Sequence, residues 1–477
     1  MKKVNQEIIT KIDNFISENK ETCLNELMAL VRIPSVQSEP LKGAQFGKEN
    51  RRMLDETALL FEKHGFKTDI EKDGYYALSY SENIGKTIGI FSHGDVVPPD
   101  GEWLICPPFE PIIKDGYIFG RGCNDDKSGI IQALYAAKFL KENCPEFKSR
   151  IVMFTGSNEE TGMKDVQKFV QNEPMPDFSI SPDGEYPFYG AERSIIRLNA
   201  ISNRKFEAIK DFRGGKVPNI VLGEVVAEFE NGTQLSKELE SIVSASESLS
   251  CDVKENSLFI TAKGKSAHAA LVDNGINAAV LLATELLKCE SLPQNDKEIL
   301  EDVVLFIGAG HGAGLGIHHI DENFGEIVCS NGIASVTDKT LTISLDIRAG
   351  ISFPVEEICQ KVIAAFGNNW TADIYDCRPG YLHDTDNAFA KILASTYAEI
   401  SGDKEKRPIF TAGGTYSRIL KNSYSIGTVN YNLAKPIDLP KGHGGCHQPD
   451  EKLNIAGFLD AIKILICILI EADAILN

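Results

Sequence analysis

The chain has 477 residues, 43% hydrophobic and 25% charged, the profile of a globular protein with room for two or three domains. Its 49 basic and 68 acidic residues leave a formal charge of −19, which argues against nucleic acid as a partner because phosphate would be repelled. Eleven cysteines, odd in number and without a CxxC pair, argue against a disulfide framework and a thiolate zinc site, and fit a reducing cytoplasm.

The opening MKKVNQEIITKIDNFISENK lacks the apolar core and small-residue cleavage site of a secretory signal. It reads as an amphipathic helix, with Ile8, Ile9, Ile12 and Phe15 near helical spacing. Three short apolar runs follow, each leading into a polar loop: KTIGIFS (86–92) into HGDVVP, RIVMFTG (150–156) into SNEETG, and DFSIS (177–181) into PDGEYP. Their β-branched and aromatic content and flanking turn residues predict buried strands. Between the first two, DKSGIIQALYAAKFLKEN (126–143) predicts a helix. Strand, helix, strand implies an α/β unit with parallel pairing, whose binding crevice lies at the carboxyl ends of the strands.

From about 191 the pattern changes to alternating strands (RSIIRLNAISN, PNIVLGEVVAEFE, SLFITAKGKSAHAAL, KTLTISLDIRAG) and two helices (274–290 and 355–366). The two halves of this stretch look loosely alike. After about 380 a helix (NAFAKILASTYAEI), a second helix (TYSRILKN), a strand (SIGTVNY) and a final helix are expected. The arrangement predicted is one α/β domain made of residues 1–190 and 381–477, with a separate α+β domain, 191–380, inserted between them. The closing FLDAIKILICILIEADAIL is interrupted by Asp460, Lys463, Glu471 and Asp473. Its uncharged run falls far short of the roughly 20 residues that span a bilayer, so a buried helix is expected and no membrane partner.

The chemistry concentrates at the predicted strand ends. His93 and Asp95 form an HxD pair; Asp125 and Asp126 follow the glycine-bracketed GRGCNDDKSG; Glu159 and Glu160 are adjacent; Asp183 lies in SPDG and His447 in GGCHQPDE. Imidazole and carboxylate ligate zinc and harder divalent ions. One histidine and one carboxylate per metal plus a shared carboxylate makes five ligands, the inventory present here. Of two adjacent glutamates on irregular backbone, one can coordinate while the other faces the water to be activated. Each residue alone is more often a surface pair or a solvated face; their joint placement after buried strands shifts that weighting.

With these motifs in order (SHGDVVP, GRGCNDDKSG, NEETG, SPDGEYP, GKSAH, LDIRAG, GGTYSR, CHQPDE), the chain resembles the PepV-type dipeptidases, within the wider superfamily of aminoacylases, ArgE/DapE-like deacylases and glutamate carboxypeptidases. The resemblance covers nearly the whole chain. It implies a mixed-sheet α/β, aminopeptidase-like catalytic domain and an inserted α+β lid of two ferredoxin-like halves. It implies His93 and Asp183 on one metal, Glu160 and His447 on the other, and Asp125 bridging both, with a cis Asp125–Asp126 peptide. Asp95 is expected to hydrogen-bond and orient His93, and Glu159 to act as general base and then acid. In the lid, His268 of GKSAH is expected to stabilise the oxyanion, Arg348 of LDIRAG to grip the substrate's carboxylate, and Asn219 to lie near the substrate. The amides around Gly413, Gly414 and Thr415 offer a further carboxylate site.

The sequence departs from the family pattern at Ser128, where glycine is expected, and at Leu222, where proline is common. His443 is a second histidine four residues before His447, and the HQPDE context favours His447. GAGHGAGLG (308–316) does not match a dinucleotide loop in register and reads as a lid loop; the His318–His319 pair reads as solvated. The function expected is hydrolysis of dipeptides by two divalent ions, zinc first and manganese or cobalt next, in a monomeric cytoplasmic enzyme. The alternatives are an N-acyl amino acid deacylase of the ArgE/DapE type and a non-catalytic binding protein on the same scaffold.

Overall fold

Side chains on a strand alternate between faces, and the run Thr87–His93 shows what this chain does with that. Ile88 and Ile90 face one way and Phe91 the other. In the computed structural model, which describes residues 4–411 and 413–477, this run lies inside a six-stranded sheet. The strand order is Lys67–Ile70, Tyr76–Tyr80, Arg150–Gly156, Thr87–His93, Phe178–Gly184, Ser423–Gly427. The last four strands run parallel, and Tyr76–Tyr80 alone is reversed, antiparallel to both of its neighbours, so the sheet is mixed.

Ile88, Ile90, Ile151, Met153, Phe178 and Ile180 pack under the helices Gln6–Val31, Lys127–Asn143 and Ile455–Leu476. On the other face Phe91, Val152 and Phe154 meet Val166 and Phe169 of helix Lys164–Asn172, with Tyr416 and Leu420. The chain leaves Thr87–His93, returns through Lys127–Asn143 to the strand on one side, then crosses by Lys164–Asn172 to the strand on the other side. The direction of winding therefore reverses at Thr87–His93, and open α/β sheets bind their ligands at the carboxyl ends of strands at such a reversal.

This sheet belongs to the first of two compact units, made of Met1–Gly190, His383–Ile409 and Gly414–Asn477. The second comprises Ala191–Leu382 with Phe410–Gly413. Two of its antiparallel sheets share an apolar core. One contains Val328–Ser330, Thr340–Ala349, Ser194–Lys205 and Trp370–Arg378, with Ala334–Thr337 paired to Thr340–Ala349; the other orders Asp211–Arg213, Glu224–Glu230, Ser257–Lys263, Leu249–Lys254.

Several elements differ from the sequence expectation. TYSRILKN makes only the single 3₁₀ turn Tyr416–Arg418, capped by the Thr415 hydroxyl. PNIVLGEVVAEFE becomes a strand only from Glu224, because Pro218 has no amide to give and the amides of Val221 and Leu222 bond to Ala267 and Asn331 instead. Helix Gln294–Ile307 and the hairpin Ile112–Lys114/Tyr117–Phe119 were not anticipated. The closing helix is buried as expected: Ile464, Leu465, Ile466, Cys467, Ile468 and Leu469 are fully covered. Near its end Asp473 accepts from the Lys148 and Ser149 amides. Among the described residues, no helix is long and apolar enough to cross a membrane.

The weight carried by that helix is measurable. Leu465→Ala should cost about 2–5 kcal/mol, read as a lowered urea midpoint with an unchanged slope.

Candidate metal centre

The parallel register sets the site. His93 pairs with Gly156, so the chain leaving one strand at His93 lies beside the chain leaving the next into Ser157–Glu160. Asp183 lies near the end of the strand on the other side. Asp125 arrives from the loop before helix Lys127–Asn143. His447 lies in the loop before the short strand Lys452–Asn454, which pairs with Tyr117–Phe119 and so anchors that loop beside residues 120–125.

Two groups of ligand atoms result, each gathered within 4.8 Å: His93, Asp126 and Asp183, and Asp125, Glu160 and His447. Asp125 touches both, with Oδ1 3.1 Å from His93 Nε2 and Oδ2 3.1 Å from His447 Nε2. His447 Nε2 is also 3.1 Å from Glu160 Oε2, and His93 Nε2 is 3.9 Å from Asp183 Oδ2. His93 Nδ1 lies 3.0 Å from the Asp95 carbonyl oxygen. A carbonyl only accepts, so Nδ1 donates to it and Nε2 is the nitrogen that faces the neighbouring carboxylates. The Asp125–Asp126 peptide is cis.

The electrostatics are those of an anionic cavity short of cations. Burial pushes Glu159 well above the usual carboxylate range, His93 opposes it, and Glu160, Asp95 and Asp125 add to it. Asp183 is raised by burial and by Asp126, and Glu160 by burial and Asp125. Burial would lower His447, but Glu160 and Asp125 hold it up at about 11. His93 is likewise held well above its usual range, against burial, by Asp125 and Asp95. Asp126 Oδ1 and Glu159 Oε1 are buried without a hydrogen-bond partner. Nitrogen and carboxylate donors, two gathered groups and unanswered oxygens fit a pair of divalent ions.

Against this geometry the comparisons are specific. The pattern of peptidase family M20/M25/M40 matches residues 89–471. The chain belongs to this family. It is therefore a metal-dependent peptidase, a hydrolase. It is 27% identical over 460 residues to "Putative dipeptidase YtjP" of Bacillus subtilis (strain 168), covering 93% of this chain and 96% of that protein. A Staphylococcus epidermidis protein named "Putative dipeptidase" is 26% identical over 469 residues, 94% of this chain and 96% of its own. Human carnosine dipeptidase 1 shares the fold, with a TM-score of 0.59 at 12% identity, over 98% of this chain and 100% of that one. So does the Saccharomyces cerevisiae dipeptidase Dug1p, with a TM-score of 0.59 at 14% identity over 98% of each chain.

Within this M20-family site Asp95 meets His93 chiefly through its main chain: the carbonyl makes the 3.0 Å contact to Nδ1, and Oδ1 stands 3.5 Å away. The carboxylate instead accepts the Glu159 amide at 3.1 Å and the Glu160 amide at 3.2 Å, holding the loop that carries both glutamates. His443 is absent from both ligand groups; its Nδ1 is 2.6 Å from Asp450 Oδ2, and Asp450 also accepts from the Leu104 and Ile105 amides.

Sequence reasoning missed three supports. Asp126 Oδ2 accepts the His93 amide. Asp165 accepts the Ser157 and Asn158 amides and the Tyr416 hydroxyl, and burial and Asp95 push it up to about 6. Gly156 is required here, since a Cβ would overlap the Tyr416 hydroxyl and the Asp165 carboxylate. Glu451 accepts amides of the Asp125 loop. Only Asp126 and Glu451 had a signal, as members of the motifs DDKSG and HQPDE.

The remaining candidates have these surroundings. Asn219 and His268 sit on neighbouring segments of the second unit: Ile220 bridges His268, and the Ala269 amide donates to the Asn219 carbonyl. His268 is exposed and its Nδ1 accepts from the Ala270 amide. Arg348 is buried and donates through Nε and Nη2 to Asp346, which Arg197 also meets. The Gly413 amide is engaged by Thr411 Oγ1. In the first unit, the Thr415 hydroxyl is shared with Ser425, and Gly414 lies against the Arg418 side chain.

The two histidines of the GHGGCH segment should separate in metal analysis. His447→Ala is expected to drop the content from two ions per chain to one, while His443→Ala keeps two, both read by plasma mass spectrometry on protein dialysed against zinc.

Proposed function

We propose that this chain is a broad dipeptidase that hydrolyses the single peptide bond of short peptides with a free C-terminus. The observation that carries the reading is the pair of ligand groups spanned by Asp125, with the buried carboxyl of Glu159 beside them. The dipeptidase names of the relatives that align over nearly the whole chain support the substrate class.

In this reading His93 and Asp183 hold one divalent ion, Glu160 and His447 the other, and Asp125 lies between them; zinc is favoured by the mixed imidazole and carboxylate set, with manganese and cobalt next. When bound, the ions supply Lewis-acid polarisation of the scissile carbonyl and acidify the attacking water. Glu159 accepts the water's proton on a carboxylate oxygen as the water oxygen bonds to the carbonyl carbon. It then delivers that proton to the amide nitrogen as the C–N bond breaks, so one carboxyl serves as base and then acid. Burial raises Glu159 well above the usual carboxylate range, His93 opposes the shift, and Glu160 and Asp95 add to it. Asp95 keeps Glu159 and Glu160 facing their separate tasks through the two amides it holds.

For the second unit we assign oxyanion stabilisation to His268 and recognition of the substrate carboxylate to Arg348, whose guanidinium Asp346 orients in advance. Asn219 and the main chain at Gly413, Gly414 and Thr415 are assigned to the substrate's polar ends. A monomer acting in the cytoplasm completes the reading.

The test is a panel of free dipeptides and N-acetylated amino acids offered to zinc-loaded protein. Dipeptides should be cleaved and acetylated amino acids spared; the reverse preference would replace this reading with a deacylase. Glu159→Gln should lower kcat by about 100–10,000-fold with the metal content unchanged.

The second-unit assignments make a separate prediction. His268→Ala should lower kcat by about 100–1,000-fold, whereas Arg348→Met should chiefly raise KM for dipeptides with a free carboxylate and spare their C-terminal amides. Steady-state kinetics on the paired substrates reads both.

A further inference from the structure

The loop that delivers Asp125 has no regular structure of its own to fix it. It runs from Gly120 to Asp126 between the hairpin strand Tyr117–Phe119 and the helix Lys127–Asn143, with Gly120 at φ +152° and Gly122 at φ +84°. Its main-chain amides would be orphaned in the interior without acceptors. The Arg121 and Cys123 amides find the Pro108 and Gly120 carbonyls, and one residue, Glu451, supplies acceptors for four others. Glu451 Oε1 accepts the Asn124 amide at 3.0 Å and the Asp125 amide at 3.2 Å. Its Oε2 accepts the Gly122 amide at 3.0 Å and Arg121 Nη1 at 2.7 Å. Its carbonyl accepts the Gly120 amide at 3.0 Å.

We propose that Glu451 is a positioning residue of the metal centre, a buried carboxylate whose bonds to the 120–125 main chain set where the Asp125 carboxylate stands relative to His447. The proposal rests on the functional reading above, and three features carry it. Glu451 and Arg121 are each 99% buried as side chains and pair with each other, so the clamp adds no net negative charge to a site already crowded with it. Glu451 lies four residues beyond His447 on the same segment, so one short stretch carries both a ligand and the fastening of that ligand's partner. The two meet at the 3.1 Å approach of His447 Nε2 to Asp125 Oδ2. A shift in the loop main chain therefore moves the shared carboxylate away from both histidines at once. Asn124 adds to the fastening, with Nδ2 donating to Cys446 Sγ at 3.1 Å and Oδ1 accepting from Thr428.

The test measures divalent-ion affinity by calorimetry on metal-stripped protein, beside thermal stability. Glu451→Gln keeps the shape but turns donor hydrogens toward the Arg121 and Gly122 donors. Glu451→Asp keeps the charge and the Arg121 pair but withdraws the carboxylate by one methylene. Both are expected to weaken zinc affinity by about 10–100-fold. The control is Asp296→Asn, a buried carboxylate of the second unit that accepts the Glu207, Ala208 and Ile209 amides. It should lower stability and leave affinity alone. Wild-type affinity in folded Glu451→Asp or Glu451→Gln protein overturns the proposal. Wild-type protein that binds no divalent ion overturns the functional reading itself. Should neither variant fold, amide exchange on the wild-type protein decides: protection of Asn124 and Asp125 in the metal-stripped state supports the clamp, and exchange at open-loop rates overturns it.

Discussion

The metal centre depends on one recurring interaction, a buried carboxylate accepting main-chain amides from a loop at the end of a strand. Asp95 holds the amides of Glu159 and Glu160, Asp165 those of Ser157 and Asn158, Glu451 those of Gly122, Asn124 and Asp125, and Asp126 that of His93. Loops that leave parallel strands have no ladder to satisfy their polar groups, and a buried unsatisfied amide costs about 1–3 kcal/mol. A carboxylate resolves two such amides at once with charge-assisted bonds. The same bonds fix the direction of the side chain that follows, so satisfying the backbone and aiming the ligand are one event.

That solution concentrates negative charge. The supports and the ligands are both carboxylates, and burial together with mutual repulsion lifts Glu159, Glu160 and Asp183 above their usual range. Among the candidate ligand carboxylates Asp125, Glu160 and Asp183, Asp125 alone is held below it. Burial pushes it up, but it lies against both imidazoles, and they outweigh that cost. A carboxylate flanked by His93 and His447 has one oxygen for each side, which is the geometry a shared ligand needs.

How much of this the sequence disclosed follows from which interactions leave a pattern. The strands were legible because alternation and β-branching are local, and four of the five candidate ligands stood out because they follow such a strand or open the helix between two of them, whereas His447 rested on its HQPDE context. Glu159 and Glu160 were expected to take separate roles because adjacent side chains in a turn can diverge. The supporting roles were not legible even where the residue lay in a motif, as Glu451 does: a carboxylate that accepts amides from a loop distant in sequence imposes no periodicity on its neighbours. The choice between His443 and His447 rested on motif context, and its physical reason is Asp450, which takes His443 for itself. In the second unit the misread segment was PNIVLG, whose apolar residues suit a strand but whose amides are spent on residues 267 and 331.

The protein's own cations explain why the centre must look outside itself for charge. Arg121 is beside the site but bound to Glu451. Lys127 follows the cis peptide, yet its Nζ donates to the Leu30 and Ile33 carbonyls, and burial draws its amine down to about 7 against the pull of Glu451 and Asp95. Both are placed to support the loop rather than to neutralise the ligands. That leaves two imidazoles facing Asp125, Glu160 and Asp183, with Glu159 and Asp126 behind them. An imidazole coordinates through the same lone pair that protonation would consume. Two divalent ions held there would take the place of those protons and supply four positive charges where the fold has assembled carboxylates.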